Sequence, residues 1–233
     1  MSKDVILRIL GDIKADGGQY KSLEFTGPAA HEMSMEQRFT VANMALEAGA
    51  KCGLFEADEK TAEYYGMPLE DIDWVCVDDE AKYEKVLTYD VSELEPQLSC
   101  PQGVDNVHPI SEVKGTKMDE VYLGTNGSIE DMEAAAKILK GRKVAKGLRF
   151  IVVPATNTIF KQAIERGYIK TFIEAGAVIC HPCCGLCCGM PYGLMTDDER
   201  ILLTANRNFI GRQGTKKTLG YLSSPTVAAA TAV

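Results

Sequence analysis

Five of the chain's eight cysteines lie between residues 180 and 188, in the sequence Cys-His-Pro-Cys-Cys-Gly-Leu-Cys-Cys. Thiolates are soft ligands, and cysteines at this density are typical of a zinc site or an iron–sulfur cluster. Cys180 and Cys183 form one C-x2-C pair, and Cys184 and Cys187 form another. Adjacent cysteines rarely ligate one metal together, so each adjacent pair is expected to supply one ligand. The alternative is a group of buried, inert thiols.

The other three cysteines, Cys52, Cys76 and Cys100, are scattered along the chain. For these, the buried and inert interpretation is preferred, because free cysteine is among the most buried residue types.

A second group of candidate residues lies in Asn206–Arg212, where Arg207 and Arg212 flank a turn-like segment with Gly211. The forked guanidinium is the side chain best suited to grip a carboxylate. Two solvated surface arginines are an equally acceptable interpretation. Glu24 is a carboxylate inside a short strand, and an exposed strand face explains it just as well.

Composition excludes several classes of function. The net charge is −8 and no run of Lys or Arg forms a patch, which argues against nucleic-acid binding. No apolar run is long enough to span a bilayer. The N-terminal residues lead directly into an amphipathic helix, so we expect no signal peptide and a cytoplasmic location. Without export, clustered cysteines indicate metal ligands or reduced thiols rather than disulfides.

The elements that position these residues indicate an α/β fold of two doubly wound domains, residues 1–109 and 110–233, with mostly parallel sheets. In the second half, strands at 121–123, 149–153 and 177–179 alternate with helices at 129–139 and 158–166. Ligands in such folds bind beyond the carboxyl ends of the strands. Gly124–Gly127 and the cysteines both follow strands, so they are expected to meet there. An anion site at the Gly124–Gly127 amides is a weaker prediction than an ordinary turn.

The first half is predicted to open with a helix from Lys3 to Ile13, capped by Ser2. Ser34 begins a capping box for a second helix. We also predict a buried strand at Cys52–Phe55, a strand at Lys85–Val91, and a loop-rich stretch between Pro96 and Pro109.

The order of several stretches resembles the aconitase superfamily, most closely the large subunits of 3-isopropylmalate dehydratase and homoaconitase. These stretches lie along the whole chain: Lys3–Leu7, Leu23–Pro28, Ser34–Glu36, Asn43–Ala45, Asn126–Asp131, Cys184–Met190, Asn206–Arg212 and Ser224–Pro225. The resemblance implies the second and third domains of the family fold. It also implies a hydro-lyase of malate- or citrate-like 2-hydroxy acids, in which an iron of a [4Fe–4S] cluster acts as a Lewis acid.

On the cofactor side, the resemblance implies that Cys184 and Cys187 are two of the three cluster ligands. Asn206 matches a residue that packs against the cluster, and Asn126 belongs to the family motif that carries the third ligand. On the substrate side, Arg207 and Arg212 match clamps for the substrate carboxylates. Glu24 matches an active-site carboxylate near the open iron.

Two departures from the family pattern qualify this expectation. The third cluster cysteine is missing, because a Cys-Thr pair is absent from the Gly124–Gly127 segment. Cys183 or Cys180 is the possible substitute. The family's first domain, with its essential Asp and His residues, and its small domain or subunit, with the catalytic serine, are also absent from these 233 residues.

The resulting expectation is a piece of a hydro-lyase that is inactive alone and pairs with a small subunit. One alternative is a non-catalytic module in which Cys180, Cys183, Cys184 and Cys187 hold zinc or a rearranged cluster. The other is a metal-free scaffold subunit.

Overall fold

The structure is a computed structural model, and it describes residues 1–72, 78, 80–124 and 126–233. Its elements form a small parallel sheet and a large, mostly parallel sheet with helices packed against them. The small sheet pairs β1 (Ser22–Phe25) with β2 (Cys52–Phe55) in parallel. The helices of this part of the chain are α1 (Ser2–Ile13), α2 (Pro28–Glu32), α3 (Met35–Met44) and α4 (Glu59–Tyr65), with 3-10 turns at Ala45–Ala48 and Leu69–Asp71.

The large sheet contains seven strands in the order β4-β3-β9-β8-β5-β6-β7. These strands are β3 (Gln97–Ser99), β4 (Val107–Pro109), β5 (Glu120–Leu123), β6 (Arg149–Val152), β7 (Val178–Ile179), β8 (Arg200–Leu203) and β9 (Leu219–Leu222). The five strands β5 to β9 are parallel, whereas β3 pairs antiparallel with both of its neighbours. The helices are α5 (Ile110–Val113), α6 (Ile129–Leu139), α7 (Asn157–Glu165), α8 (Tyr168–Ala175) and α9 (Pro225–Thr231). The predicted α/β class with mostly parallel sheets is confirmed.

Strand β5 shows how both faces of the large sheet are covered. All four of its residues are buried, because both faces of a parallel sheet are covered. Val121 and Leu123 face a core formed with α6, α8 and α9. Tyr122, between them, faces the opposite core, formed with α1 and with Leu186 and Cys187. This alternation brings the N-terminal helix and the cysteine-rich segment to the same face of the sheet.

Several predicted elements are confirmed, and their sequence signals, such as helix caps, are local. Helix α6 begins after Ser128, whose side chain accepts from the Asp131 amide in a capping box. Ser34 is the N-cap of α3 and accepts from the Gln37 amide, but the Gln37 side chain bonds Glu130, so only this half of the predicted capping box forms.

Other predictions are wrong. Lys85–Val91 is not a strand: it runs as a loop over the surface and is tied down where the Tyr89 hydroxyl donates to Asp12. Ser2 lies inside α1, and Met1 is the N-cap. The strand at Cys52–Phe55 forms, but it is only half-buried, because it has a single strand neighbour.

The loop-rich interpretation of Pro96–Pro109 missed β3 and β4. Both precede the boundary predicted near Pro109, yet both join the large sheet through the pairing of Ser99 with Leu222. The division into units 1–109 and 110–233 therefore stays a prediction. Among the helices of the described residues, none combines the length and apolar character that a membrane span requires.

Candidate functional site

A network of amides and one ammonium group lies beyond the carboxyl ends of β5 and β8. Asn126 and Asn206 exchange two hydrogen bonds of 3.2 Å between their side-chain amides. The Asn206 amide also donates to Asn43 at 2.6 Å. The Lys3 ammonium group donates to the Asn206 side-chain oxygen and, at 2.8 Å, to the Ala205 carbonyl. The fold thus joins α1, α3, the β5–α6 turn and the segment after β8 at one point.

Lys3 is the most deeply buried charge of this network, with an exposed fraction of 2%. Burial lowers the pKa of its ammonium group to about 7, and the nearby acidic groups, with Asp131 the largest contributor, only partly oppose that shift. Burial correspondingly raises the pKa of the Asp131 carboxyl. The site therefore contains an amine that titrates near neutral pH.

Arg207 is held at the edge of the network by Glu47. Its Nε lies 2.8 Å from a carboxylate oxygen of Glu47, whose side chain is almost fully buried in the 3-10 turn after α3. Burial raises the pKa of Glu47, while Arg207, Arg212 and Lys3 act to lower it. One Nη of Arg207 reaches Asn43 at 3.4 Å. The guanidinium is thereby oriented while its side chain remains about 19% exposed.

The cysteine turn, residues 180–188, lies against the same core. A 3-10 turn spans Gly185–Cys188, with Leu186 and Cys187 buried and Cys184 and Cys188 exposed. The neighbouring Cys188 thiol, followed by burial, raises the pKa of Cys184 to about 11. Arg212 donates its Nε–H to the Cys187 carbonyl, which links the turn to the arginine segment. A cleft of 410 Å³ beside the turn is lined by Arg212 together with Leu194, Phe209 and Ile210.

Tyr122 supports the cysteine turn from below. Its side chain is fully buried, and burial raises the pKa of the phenol above its usual range. The Leu186 amide approaches the hydroxyl without the geometry of a full hydrogen bond, and no other partner lies among the described residues. A Cβ at Gly185 would lie 2.3 Å from this hydroxyl, and Gly185 has φ +53°. Only glycine fits this position in the turn.

We expect Gly185→Ala to lower the free energy of unfolding by about 2–3 kcal/mol, since it adds an overpacking clash to a left-handed backbone. Gly141→Ala is the matched control, because Gly141 has φ +75° and open space around its Cβ position. That control should cost about 1 kcal/mol, from the backbone alone. Adding Tyr122→Phe to Gly185→Ala should recover the difference, as measured by urea unfolding. Equal losses for both alanine variants would contradict the clash.

The described contacts of Glu24 do not include the network of Lys3, Asn126 and Asn206. It sits on β1, where the Tyr83 hydroxyl donates to its carboxylate at 2.9 Å. This bond is the main cause of a raised pKa for the Tyr83 phenol. Among the described residues, no hydrogen bond or ion pair joins Glu24 to the asparagines, the arginines or the cysteine turn.

The three scattered cysteines were predicted to be buried and inert, and this prediction is only partly confirmed. Cys52 is exposed on β2, which contradicts its predicted burial. Cys100 is half-buried, and burial raises the pKa of its thiol. Cys76 lies outside the described residues.

The thiols do not fit the three-thiolate set that a [4Fe–4S] cluster of this kind requires. Cys184 and Cys187 share the cysteine turn, but Gly124 and Asn126, in the turn after β5, bring no thiol to them. Within the described ranges, no group of three or more His, Cys, Asp or Glu side chains is placed to hold a metal ion. The four-cysteine zinc site stays a hypothesis.

Sequence reasoning missed four residues of the site. Lys3 and Asn43 lie inside stretches that carry the family resemblance, but no role was assigned to them. Glu47 interrupts an apolar run, Met44-Ala45-Leu46-Glu47-Ala48, and that interruption was the available signal for a buried carboxylate. Tyr122 lies in an apolar strand and offered no such signal.

Comparison with known proteins decides the family. The model of the aconitase family (aconitate hydratase) matches residues 1–123 and 115–233. The chain belongs to the aconitase family. Among its relatives, the 3-isopropylmalate dehydratase large subunit 2 of Archaeoglobus fulgidus is 48% identical over 236 residues, and the large subunit from Nitratidesulfovibrio vulgaris is 49% identical over 234 residues.

A probable large subunit from Methanothermobacter thermautotrophicus is 47% identical over 240 residues. All three alignments cover 100% of this chain but only 56–57% of the relatives. The chain thus spans a little over half the length of the curated relatives it matches.

Proposed function

We propose that this chain is part of a hydro-lyase of the 3-isopropylmalate dehydratase type, acting on malate- or citrate-like 2-hydroxy acids. The relatives named as large subunits of this dehydratase support the reaction class. Their names also support a small subunit as its partner. A cytoplasmic location fits the free thiols of the cysteine turn.

The observation that carries this proposal is the placement of the two arginines. Arg207 and Arg212 are each anchored through Nε, to Glu47 and to the Cys187 carbonyl respectively. This anchoring leaves the Nη groups of Arg212 without a hydrogen-bond or ion-pair partner among the described residues, beside a cleft wide enough for a small acid. Fixed guanidiniums with free donors are suited to bind carboxylates in a defined orientation.

The roles of the other site residues follow as parts of the proposal. Asn126 and Asn206, which are hydrogen-bonded to each other, would form the cofactor side of the site. Glu24 would serve as an active-site carboxylate, the role that the family resemblance implies for it. The Tyr83 hydroxyl holds it in place.

A [4Fe–4S] cluster is expected from the family and would supply Lewis-acid chemistry. Since the thiols of this chain do not fit that cluster, we assign no step to it. We therefore propose that the chain alone does not turn over. Anaerobic conversion of 3-isopropylmalate, homocitrate or citrate by the isolated chain would contradict this part of the proposal.

Arg212→Gln is expected to weaken the binding of 3-isopropylmalate at least tenfold, since a charge-assisted hydrogen bond contributes about 1.5–3 kcal/mol. Isothermal titration calorimetry of the full chain measures this change. Arg212→Lys keeps the charge but loses the fork, and should fall between the wild type and Arg212→Gln. Arg142→Gln, at an exposed position, is the control and should bind as the wild type does. Equal affinity for all four proteins, or no binding by the wild type, would overturn the proposed carboxylate site.

A further inference from the structure

The cleft beside the cysteine turn combines one guanidinium with a wall of apolar side chains. Leu194, Phe209 and Ile210 line the cleft together with Arg212. Among the described residues that line it, Arg212 alone is charged, and none is acidic. A ligand in this cleft therefore meets one cation beside a largely apolar surface.

The side chains of this apolar wall are exposed to an unusual degree. Leu194 is 55% exposed, Phe209 49% and Ile210 61%, and Met190 and Tyr192, just before Leu194, are exposed as well. Single exposed apolar side chains are normal, whereas a group of them that shares one surface marks a binding site. Because this group lines a concave space of 410 Å³, a small ligand suits it better than a flat protein face does.

Backbone hydrogen bonds hold together the two segments that carry the wall. The Met195 amide donates to the Gln213 carbonyl at 2.9 Å, which fixes Leu194 beside the arginine segment. The Arg212 amide donates to the Phe209 carbonyl at 3.0 Å and closes the turn between them. The wall is thus formed before a ligand binds, and little ordering of the chain opposes binding.

We propose that Leu194, Phe209 and Ile210 form an alkyl subsite, which selects 2-hydroxy acids with a branched apolar substituent over malate and over acids with a third carboxylate. One carboxylate of the acid binds the Nη groups of Arg212, and the alkyl substituent packs on the apolar wall. A third carboxylate in that place would lose water without gaining a cation from the described residues that line the cleft. This inference rests on the proposed carboxylate site and adds the substrate class to it.

Isothermal titration calorimetry of the full chain with malate, 3-isopropylmalate and citrate tests the subsite. We expect 3-isopropylmalate to bind about tenfold more tightly than malate. A fully buried methylene group gives roughly a fourfold gain in affinity, and the open wall buries only part of the isopropyl group. Citrate should bind no more tightly than malate, and Arg212→Gln should weaken the binding of malate and of 3-isopropylmalate alike.

A double variant, Leu194→Ser with Ile210→Ser, isolates the apolar wall. The ratio of the 3-isopropylmalate affinity to the malate affinity should fall from about tenfold to below about threefold. Ile164→Ser with Ile173→Ser is the matched control, because these two side chains are 56% and 59% exposed on α7 and α8, outside the cleft. The control should keep the ratio of the wild type.

The outcomes separate this inference from the function on which it rests. Equal affinities for malate and 3-isopropylmalate in the wild type, or a ratio that the double variant leaves unchanged, would overturn the alkyl subsite. The carboxylate site would stand in that case if Arg212→Gln still weakens both acids. Binding of none of the three acids would refute the carboxylate site itself, and the subsite with it. Because the ligand series on the wild type is decisive alone, the test stands even if a variant fails to fold.

Discussion

The stability advantage of the wild type over a Lys3→Met variant is expected to grow by about 1.4 kcal/mol for each pH unit between about pH 7 and pH 10. The pKa of Lys3 is about 7 in the folded chain and 10.5 in the unfolded one. Within this window the unfolded wild type binds one more proton than the folded protein, so its stability rises with pH. Methionine fills similar space and removes the titration.

Urea unfolding at several pH values measures this difference directly, because other titrating groups cancel between the two proteins. Arg8→Met is the matched control, since Arg8 lies exposed on the same helix. Its stability difference from the wild type should stay flat with pH. A flat difference for Lys3→Met, or one that shrinks as the pH rises, would show that the amine is not the buried group described above.

Arg149→Met is expected to lower the free energy of unfolding by about 1–2 kcal/mol at pH 8 and by much less at pH 5. Arg149 Nε lies 2.8 Å from Glu120, whose side chain is completely buried at the start of β5. Burial raises the pKa of Glu120 to about 7 even with Arg149 beside it. At pH 8 the carboxyl of Glu120 is ionised in the wild type, and without Arg149 its pKa rises further, so the variant loses the free energy of that ionisation. At pH 5 the carboxyl is protonated in both folded proteins, and this loss disappears.

Chemical unfolding at the two pH values tests this prediction, with Arg166→Met as a control at an exposed arginine. Adding Glu120→Gln to Arg149→Met should recover most of the loss at pH 8, because the buried charge is then gone. The wild type itself should lose stability relative to Glu120→Gln as the pH rises from 4.5 to 7. That sign follows because the folded state binds the extra proton in this window. A loss for Arg149→Met that is independent of pH would refute the explanation.

The parts of the fold that the sequence predicted are those with local signals. Helix α6 follows from the capping pair Ser128 and Asp131 and from its apolar period. The strand predicted at Lys85–Val91 was wrong, although Leu87, Tyr89 and Val91 alternate with Thr88 and Asp90, because a strand also needs a neighbour and no described strand pairs with it. Strands β3 and β9 form through pairing between residues more than 120 positions apart, Ser99 with Leu222, which no local pattern encodes.

The candidate site likewise combines residues that local sequence patterns indicated with residues that only the fold brings together. The cysteine spacing and the arginine segment marked two of its components, because each lies within a short stretch. The contact between Lys3 and Asn206 joins residues 203 positions apart, and the ion pair between Glu47 and Arg207 joins two others that are distant in the sequence. These contacts exist only because α1 and the 3-10 turn after α3 pack on one face of the large sheet. The sequence therefore indicated the reactive groups, and the fold supplied the groups that orient them.

The carboxylate site is tested most directly by nuclear magnetic resonance of the arginine Nε–H groups in chain labelled with [15N]arginine. The signals of Arg207 and Arg212 are assigned with single substitutions, and 3-isopropylmalate is then titrated into the wild type. We expect these two signals to shift together and saturate, while those of Arg142 and Arg166 stay in place. Shifts at the exposed arginines alone, or none at Arg207 and Arg212, would contradict the account.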